Sequence, residues 1–114
     1  MTLTQLLEVI SQQPQNVSFD DVISTINENY QYTPTTFSNG EVVNESGTNE
    51  GSCKIFAFAQ LNDLSVEQTL ACFGKYYRED VLENPEGNDH GNIRNFMISG
   101  WEGVKFSGEA LVKV

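Results

Sequence analysis

A chain of 114 residues with a net charge of -10 has room for one compact domain and offers no cationic surface of the kind that nucleic acid or an anionic membrane requires. The hydrophobic fraction of 39% and charged fraction of 19% lie in the globular range, and no apolar run approaches bilayer length, so a soluble protein is expected. The charge is also uneven: residues 1–53 hold seven acids and no Lys or Arg, and all six basic residues fall from Lys54 onward.

The opening segment, MTLTQLLEVISQQPQ, has neither the basic start nor the apolar core of an export signal, so Sec export is not expected. Leu3, Leu6, Leu7 and Ile10 follow the i, i+3, i+4, i+7 spacing of an amphipathic helix over residues 3–12, capped by Thr2 and closed by Pro14. Ser18 followed by Asp21 marks a second start, and Phe19, Val22, Ile23, Ile26 and Tyr30 carry the stripe through residue 29. Around Asn39-Gly40, Thr35 to Phe37 and Val42-Val43 read as a hairpin with a type I′ turn, its first strand starting at Pro34 or lying at a sheet edge. A polar loop, ESGTNEGS, follows.

The run CKIFAFAQL fits a buried strand or a helix; Ser52 as cap and the Ile55, Phe58, Ala59 spacing favour the helix. Ser65 with Gln68 forms a capping box for a long helix with Val66, Leu70, Phe73, Tyr77 and Val81 on one face, ending before Pro85. Gly74 inside it costs about 1 kcal/mol against Ala, which points to another backbone passing close by. After Pro85 and Gly87, Asp89 or Asn92 caps a short helix whose inner face is Ile93, Phe96 and Met97, with Gly100 at its exit. The tail GVKFSGEALVKV reads as a second hairpin about Ser107-Gly108. Helices and antiparallel strands are segregated, so the expected class is α+β: a single domain over residues 1–114, with about five helices and a small antiparallel sheet built from two hairpins.

Few residues suggest chemistry. Cys53 and Cys72 lie in apolar surroundings at a spacing that fits no zinc or thioredoxin pattern, and they read as free thiols in a reducing compartment. Cys53, His90 and either Asp89 or Asn92 are the residue types of a Cys nucleophile site, but a Cys at the edge of an apolar run is more often a small buried residue, and no catalytic residue is assigned. A metal would need His90 with Asp89, Glu86, Glu50 or Asn92; without a second ligand at close helical spacing, neither metal nor cofactor is expected. The expected site is a polar pocket drawn from Asn49, Glu50, Tyr76, Arg78, His90, Asn92, Arg94, Asn95 and Trp101, in which Arg94 and a helix N-terminus would meet an anion. The plainer alternative has the Asn side chains capping helices and satisfying loop backbone while Arg94 pairs with Glu79 or Asp80.

The segments FSNGEVVNESGTNEGSCKIFAFA, LSVEQTLACFGKYYREDVL and NPEGNDHGNIRNFMISGWEGVKF resemble the characteristic blocks of the HopJ type III effector family. That resemblance implies a bacterial protein, resident in the cytoplasm and delivered into a host cell by type III secretion, and it implies no reaction and no ligand residues. Two functional readings follow. One is an effector that binds a protein of the host or the bacterium; the other is a small enzyme or ligand-binding protein working from a pocket around His90. A monomer is expected, with no nucleic-acid or membrane partner.

Overall fold

Two amphipathic helices open the computed structural model, which describes residues Met1–Val114. Helix α1 (Leu3–Gln12) begins with a complete capping box: Gln5 N donates to Thr2 Oγ1 at 3.1 Å while Thr2 N donates to Gln5 Oε1 at 2.9 Å. Its stripe buries Leu6 and Ile10, and α2 (Phe19–Asn29), entered through Ser18, buries Val22 and Ile26.

Strand β1 (Tyr30–Tyr32) leaves α2 directly and has no counterpart among the expected elements. Strands β2 (Phe37–Asn39) and β3 (Val42–Asn44) form the expected hairpin, but the turn residues are Gly40 and Glu41. Of these only Gly40 has a positive φ, +61°, as a type II′ turn requires; type I′ would need it at both positions. Asn39 is thereby a strand residue, and it is fully buried.

The expected second hairpin does not form. Strand β4 (Val104–Phe106) pairs with β2, and β5 (Leu111–Lys113) pairs with β1, giving sheets of order β3-β2-β4 and β1-β5. From Tyr30↔Lys113 to Phe37↔Phe106 both chains advance by the same number of residues, so the two sheets are one antiparallel ribbon in two parts. Hydrogen bonds from Thr33 N to Ala110 O (2.8 Å) and from Ser107 N to Thr36 O (3.0 Å) carry the register across the break. Pro34 lies in the gap, and without an N–H it cannot continue the ladder. Pairing at a distance also stacks Phe106 on Phe37, centroids 5.2 Å apart, a contact that a local turn about Ser107-Gly108 could not supply.

Helix α3 (Glu50–Leu61) starts before Ser52 and buries every residue from Ile55 to Ala59, which is why its sequence lacks a one-sided stripe. Phe56 sits at the centre, with ring centroids 4.9 Å from Phe96, 5.6 Å from Phe73 and 5.9 Å from Phe37. Helix α4 (Val66–Ala71) has the expected capping box but stops early, because Gly74 adopts φ +60°. A Cβ there would lie 2.8 Å from Phe19 N, so the expected close backbone is the entry to α2. The long helix is therefore two pieces, α4 and a π-helical turn, Tyr76–Val81. Helix α5 (Gly91–Ser99) buries Ile93 and Phe96 and leaves Met97 exposed, contrary to the expected inner face; Asn92 takes that place. The architecture is α+β around a single core, and no helix is long and apolar enough to cross a membrane.

Candidate functional site

Three buried asparagines tie the hairpin to the helix starts. Asn44 and Asn92 exchange amide hydrogen bonds, Asn44 Nδ2 to Asn92 Oδ1 at 3.1 Å and Asn92 Nδ2 to Asn44 Oδ1 at 2.9 Å. Asn39 Nδ2 donates to Asn92 O at 2.8 Å, and Asn49 Nδ2 donates to Asn44 Oδ1 at 2.7 Å. Amides left unpaired in a core are costly, so this network fixes the first turn of α5 and the residue before α3 against β2 and β3. Asn39 Oδ1 has no partner.

The two helices so anchored begin in the same unusual way. Asn49 (φ 48°, ψ 46°) precedes α3 and His90 (φ 51°, ψ 51°) precedes α5, both left-handed, and neither side chain caps its helix. Asp89 and Asn92, the expected caps of α5, do not serve: Asn92 lies inside the helix, and Asp89 faces Arg94. Helices α1 and α4 have full capping boxes and α2 has Ser18, so starts without any side-chain cap are confined, among the five α-helices, to α3 and α5. Both ends open on one cavity of about 420 Å³, lined by Phe19, Val42, Asn49, Gly51, Ser52, Phe73, Tyr76, His90, Gly91, Asn92 and Ile93. Unpartnered N–H groups and the positive ends of two helix dipoles make its polar side receptive to an acceptor or an anion.

His90 is held from behind. Its Nε2 lies 3.0 Å from Asp80 Oδ2 and 3.8 Å from Asp89 Oδ2, and a carboxylate accepts only, so Nε2 carries the proton. The ring packs on Tyr76, centroids 5.3 Å apart, and Tyr76 in turn meets Phe19 edge-on at 5.1 Å. Tyr76 and Asp80 both come from the π-helical turn, whose wider spacing delivers ring and carboxylate to one imidazole. Arg94 braces the loop before α5: Nε donates to Asp89 O at 2.6 Å, Nη1 to Asn84 O at 2.9 Å, and Nη2 meets Asp89 Oδ1 at 2.7 Å. The Arg94 hydrogen bond holds the Asp89 carboxyl below its usual range.

Of the nine residues considered from the sequence, Asn49, Tyr76, His90 and Asn92 line this cavity and the other five do not. Arg94 is engaged by loop carbonyls. Arg78 donates to Val17 O at 2.9 Å and Pro14 O at 3.4 Å, joining the π-helical turn to the entry of α2. Asn95 donates to Gly91 O at 2.9 Å. Trp101 donates to Leu64 O at 3.1 Å and packs on Phe96, centroids 5.0 Å apart. Glu50 stands near Tyr32, whose buried hydroxyl has its pKa pushed up by burial first and by Glu50 next.

Cys53 is buried, with its thiol 3.7 Å from Thr35 O, and burial raises its pKa. It does not line the cavity that holds His90, so the Cys53, His90, Asp89 or Asn92 arrangement is not assembled. Burial pushes the Cys72 thiol up to about 12. No group of three or more His, Cys, Asp or Glu side chains is placed to hold a metal ion. The glycines at the helix starts, Gly51 and Gly91, have no counterpart among the expected site residues, and Ser52, expected only as a cap, also lines the cavity. Their available signal was a polar residue tolerant of left-handed backbone, Asn49 or His90, standing where a Ser, Thr or Asp cap belongs.

A model of the HopJ type III effector protein family matches residues 3–111. The chain is similar to a solved structure described as "Crystal structure of unknown function protein VPA0580", with 51% identity, a TM-score of 0.98, and coverage of 100% of this chain and 95% of that one. No curated protein matches. With nearly its whole length matched by the family model, the chain belongs to the HopJ type III effector family.

Proposed function

We propose that this type III effector-like protein is a binding protein whose cavity takes a small molecule with an anionic head, a carboxylate or a phosphate, seated between the N-termini of α3 and α5. The observation that carries this reading is the convergence of two uncapped helix starts on one cavity. Anions are favoured at such ends by about 0.3–1 kcal/mol each when exposed, and by more when partly buried. Phe19, Phe73 and Tyr76 offer an apolar wall for the rest of the ligand, and the lining contains neither Lys nor Arg, which favours a head of low charge. A role through protein contact draws on Met97 and Ile98, exposed side by side on α5, but these two residues form no groove.

Gly91 supplies the test. A Cβ added there meets nothing within 4 Å and the backbone is not left-handed, so Gly91→Leu should fill the cavity mouth without strain. Thermal midpoints of the parent and Gly91→Leu are compared in a series of small carboxylates and inorganic phosphate. A ligand bound only by the folded state adds about 2.7 kcal/mol at a hundredfold excess over Kd. The expected outcome is a rise in the parent that Gly91→Leu abolishes; equal rises in both, or none in either, would remove the cavity from consideration.

A further inference from the structure

We infer that two copies of this chain associate edge to edge through β5, extending the β1-β5 pair into a four-stranded antiparallel sheet across a two-fold axis. Ala110 and Val114 exchange hydrogen bonds with the β1 side, Thr33 N to Ala110 O at 2.8 Å and Val114 N to Asn29 O at 3.1 Å. The antiparallel alternation then directs the N–H and C=O groups of Leu111 and Lys113 away from β1, where no strand takes them. An open edge of this kind is a template for another strand, and proteins commonly blunt it with short strands, edge charges, proline, a bulge or a covering loop; β5 is only three residues long and carries Lys113 but has no proline. Here a groove of about 570 Å³ runs along the edge instead, between Ala57 and Leu61 of α3 on one side and residues 106 and 108–113 on the other. Leu61 (55%), Val112 (50%) and Val114 (79%) remain exposed on or beside its rim.

Charge selects a second copy as the occupant. Glu109 and Lys113 are the two charged residues lining the groove. Antiparallel pairing centred on Leu111 sets Leu111 opposite its counterpart and Glu109 opposite Lys113 of the other copy, and the symmetry repeats the ion pair. The same register uses the free N–H and C=O groups of Leu111 and Lys113, and it sets exposed Val114 opposite Gly108, which has no side chain to obstruct it. The net charge of -10 opposes association, but it acts over distances beyond the ~8 Å screening length of physiological salt, whereas the Glu109–Lys113 pairs would be in contact. The monomer expected from the sequence is the contrary outcome of the test below.

Sedimentation equilibrium over a range of concentrations tests the inference on the parent, on Lys113→Glu, and on the exchanged pair Glu109→Lys with Lys113→Glu, each checked for folding by circular dichroism. The parent should show a reversible monomer–dimer equilibrium. Lys113→Glu, which places two like-charge pairs at the interface, should weaken it about tenfold, and the exchanged pair should restore it. Exchange of the Leu111 and Lys113 amides should slow as the dimer fills. A parent that stays monomeric at every concentration would overturn the inference, as would a dimer indifferent to Lys113→Glu or one that the exchanged pair fails to restore.

Discussion

Asn92 occupies an inward position on α5 that the helical stripe would assign to an apolar side chain, and the hairpin explains why. It is the one residue that both Asn39 and Asn44 reach, so truncating it removes one hydrogen bond each from Asn39 Nδ2, Asn44 Nδ2 and Asn44 Oδ1, which keep the Asn92 carbonyl, the Phe37 carbonyl and Asn49 as their other partners. Each lost hydrogen bond is worth about 0.5–1.5 kcal/mol, and Asn92→Ala should lose on the order of 3 kcal/mol in urea denaturation; a loss under about 1 kcal/mol would mean that the network contributes little. This role was not legible in the sequence because it depends on Asn39 being a strand residue, which the reading of Asn39-Gly40 as the turn itself had removed from the sheet. His90 was legible as a singular residue, but its backbone was not. At φ 51° a left-handed β-carbon costs about 1–2 kcal/mol, so His90→Gly should be at least as stable as His90→Ala, and His90→Ala should lose less than about 2 kcal/mol, since the Asp80 contact is exposed. Equilibrium unfolding of the two variants side by side checks both statements.

Elements specified by nearby residues were readable, and those that depend on distant ones were not. The stripes of α1 and α2, the cap at Thr2 and the box at Ser65 are completed within a few residues, so pattern and structure agree. The strands are three residues long and their partners lie across the chain, so nothing local distinguished a hairpin at Ser107-Gly108 from the ribbon that forms. Gly74 falls between these cases: the sequence showed a glycine that needed a reason, and the structure gives it two, a left-handed φ and the Phe19 backbone. Gly74→Ala should therefore cost roughly 2 kcal/mol or more, through backbone conformation and displacement of the α2 entry together. Because Tyr76 and Asp80 follow that break, the same variant should also loosen the wall behind His90, seen as faster exchange of amides 90–93.

For the molecule as a whole, the buried thiols and phenol set the alkaline limb of stability. Burial raises Cys72 to about 12 and also raises Cys53 and Tyr32, and a raised folded-state value means stability present in full below the unfolded value, about 8.5 for Cys, and lost as pH rises through the folded one. Thermal midpoints should hold steady up to that point and fall above it, with a shallower fall in Cys72→Ala. Asp89 has the opposite sign: its depressed value gives stability above roughly pH 4 that is lost on acidification through the folded value, and Asp89→Asn should flatten that limb slightly. The candidate site was half legible for a related reason. Polar side chains in loops announce themselves, whereas the backbone N–H groups of Gly51, Ser52, Gly91, Asn92 and Ile93 that make this cavity distinctive gain importance only when two helix starts meet.

The most direct test of that meeting is an amide-resolved NMR titration of the protein with small carboxylates and inorganic phosphate, following Gly51, Ser52, Gly91, Asn92 and Ile93. Saturable shifts at both helix starts with a common Kd, leaving the capped starts of α1 and α4 unmoved, are the predicted result. Shifts confined to residues outside this cavity, or at only one of the two helix starts, would contradict a shared anion site.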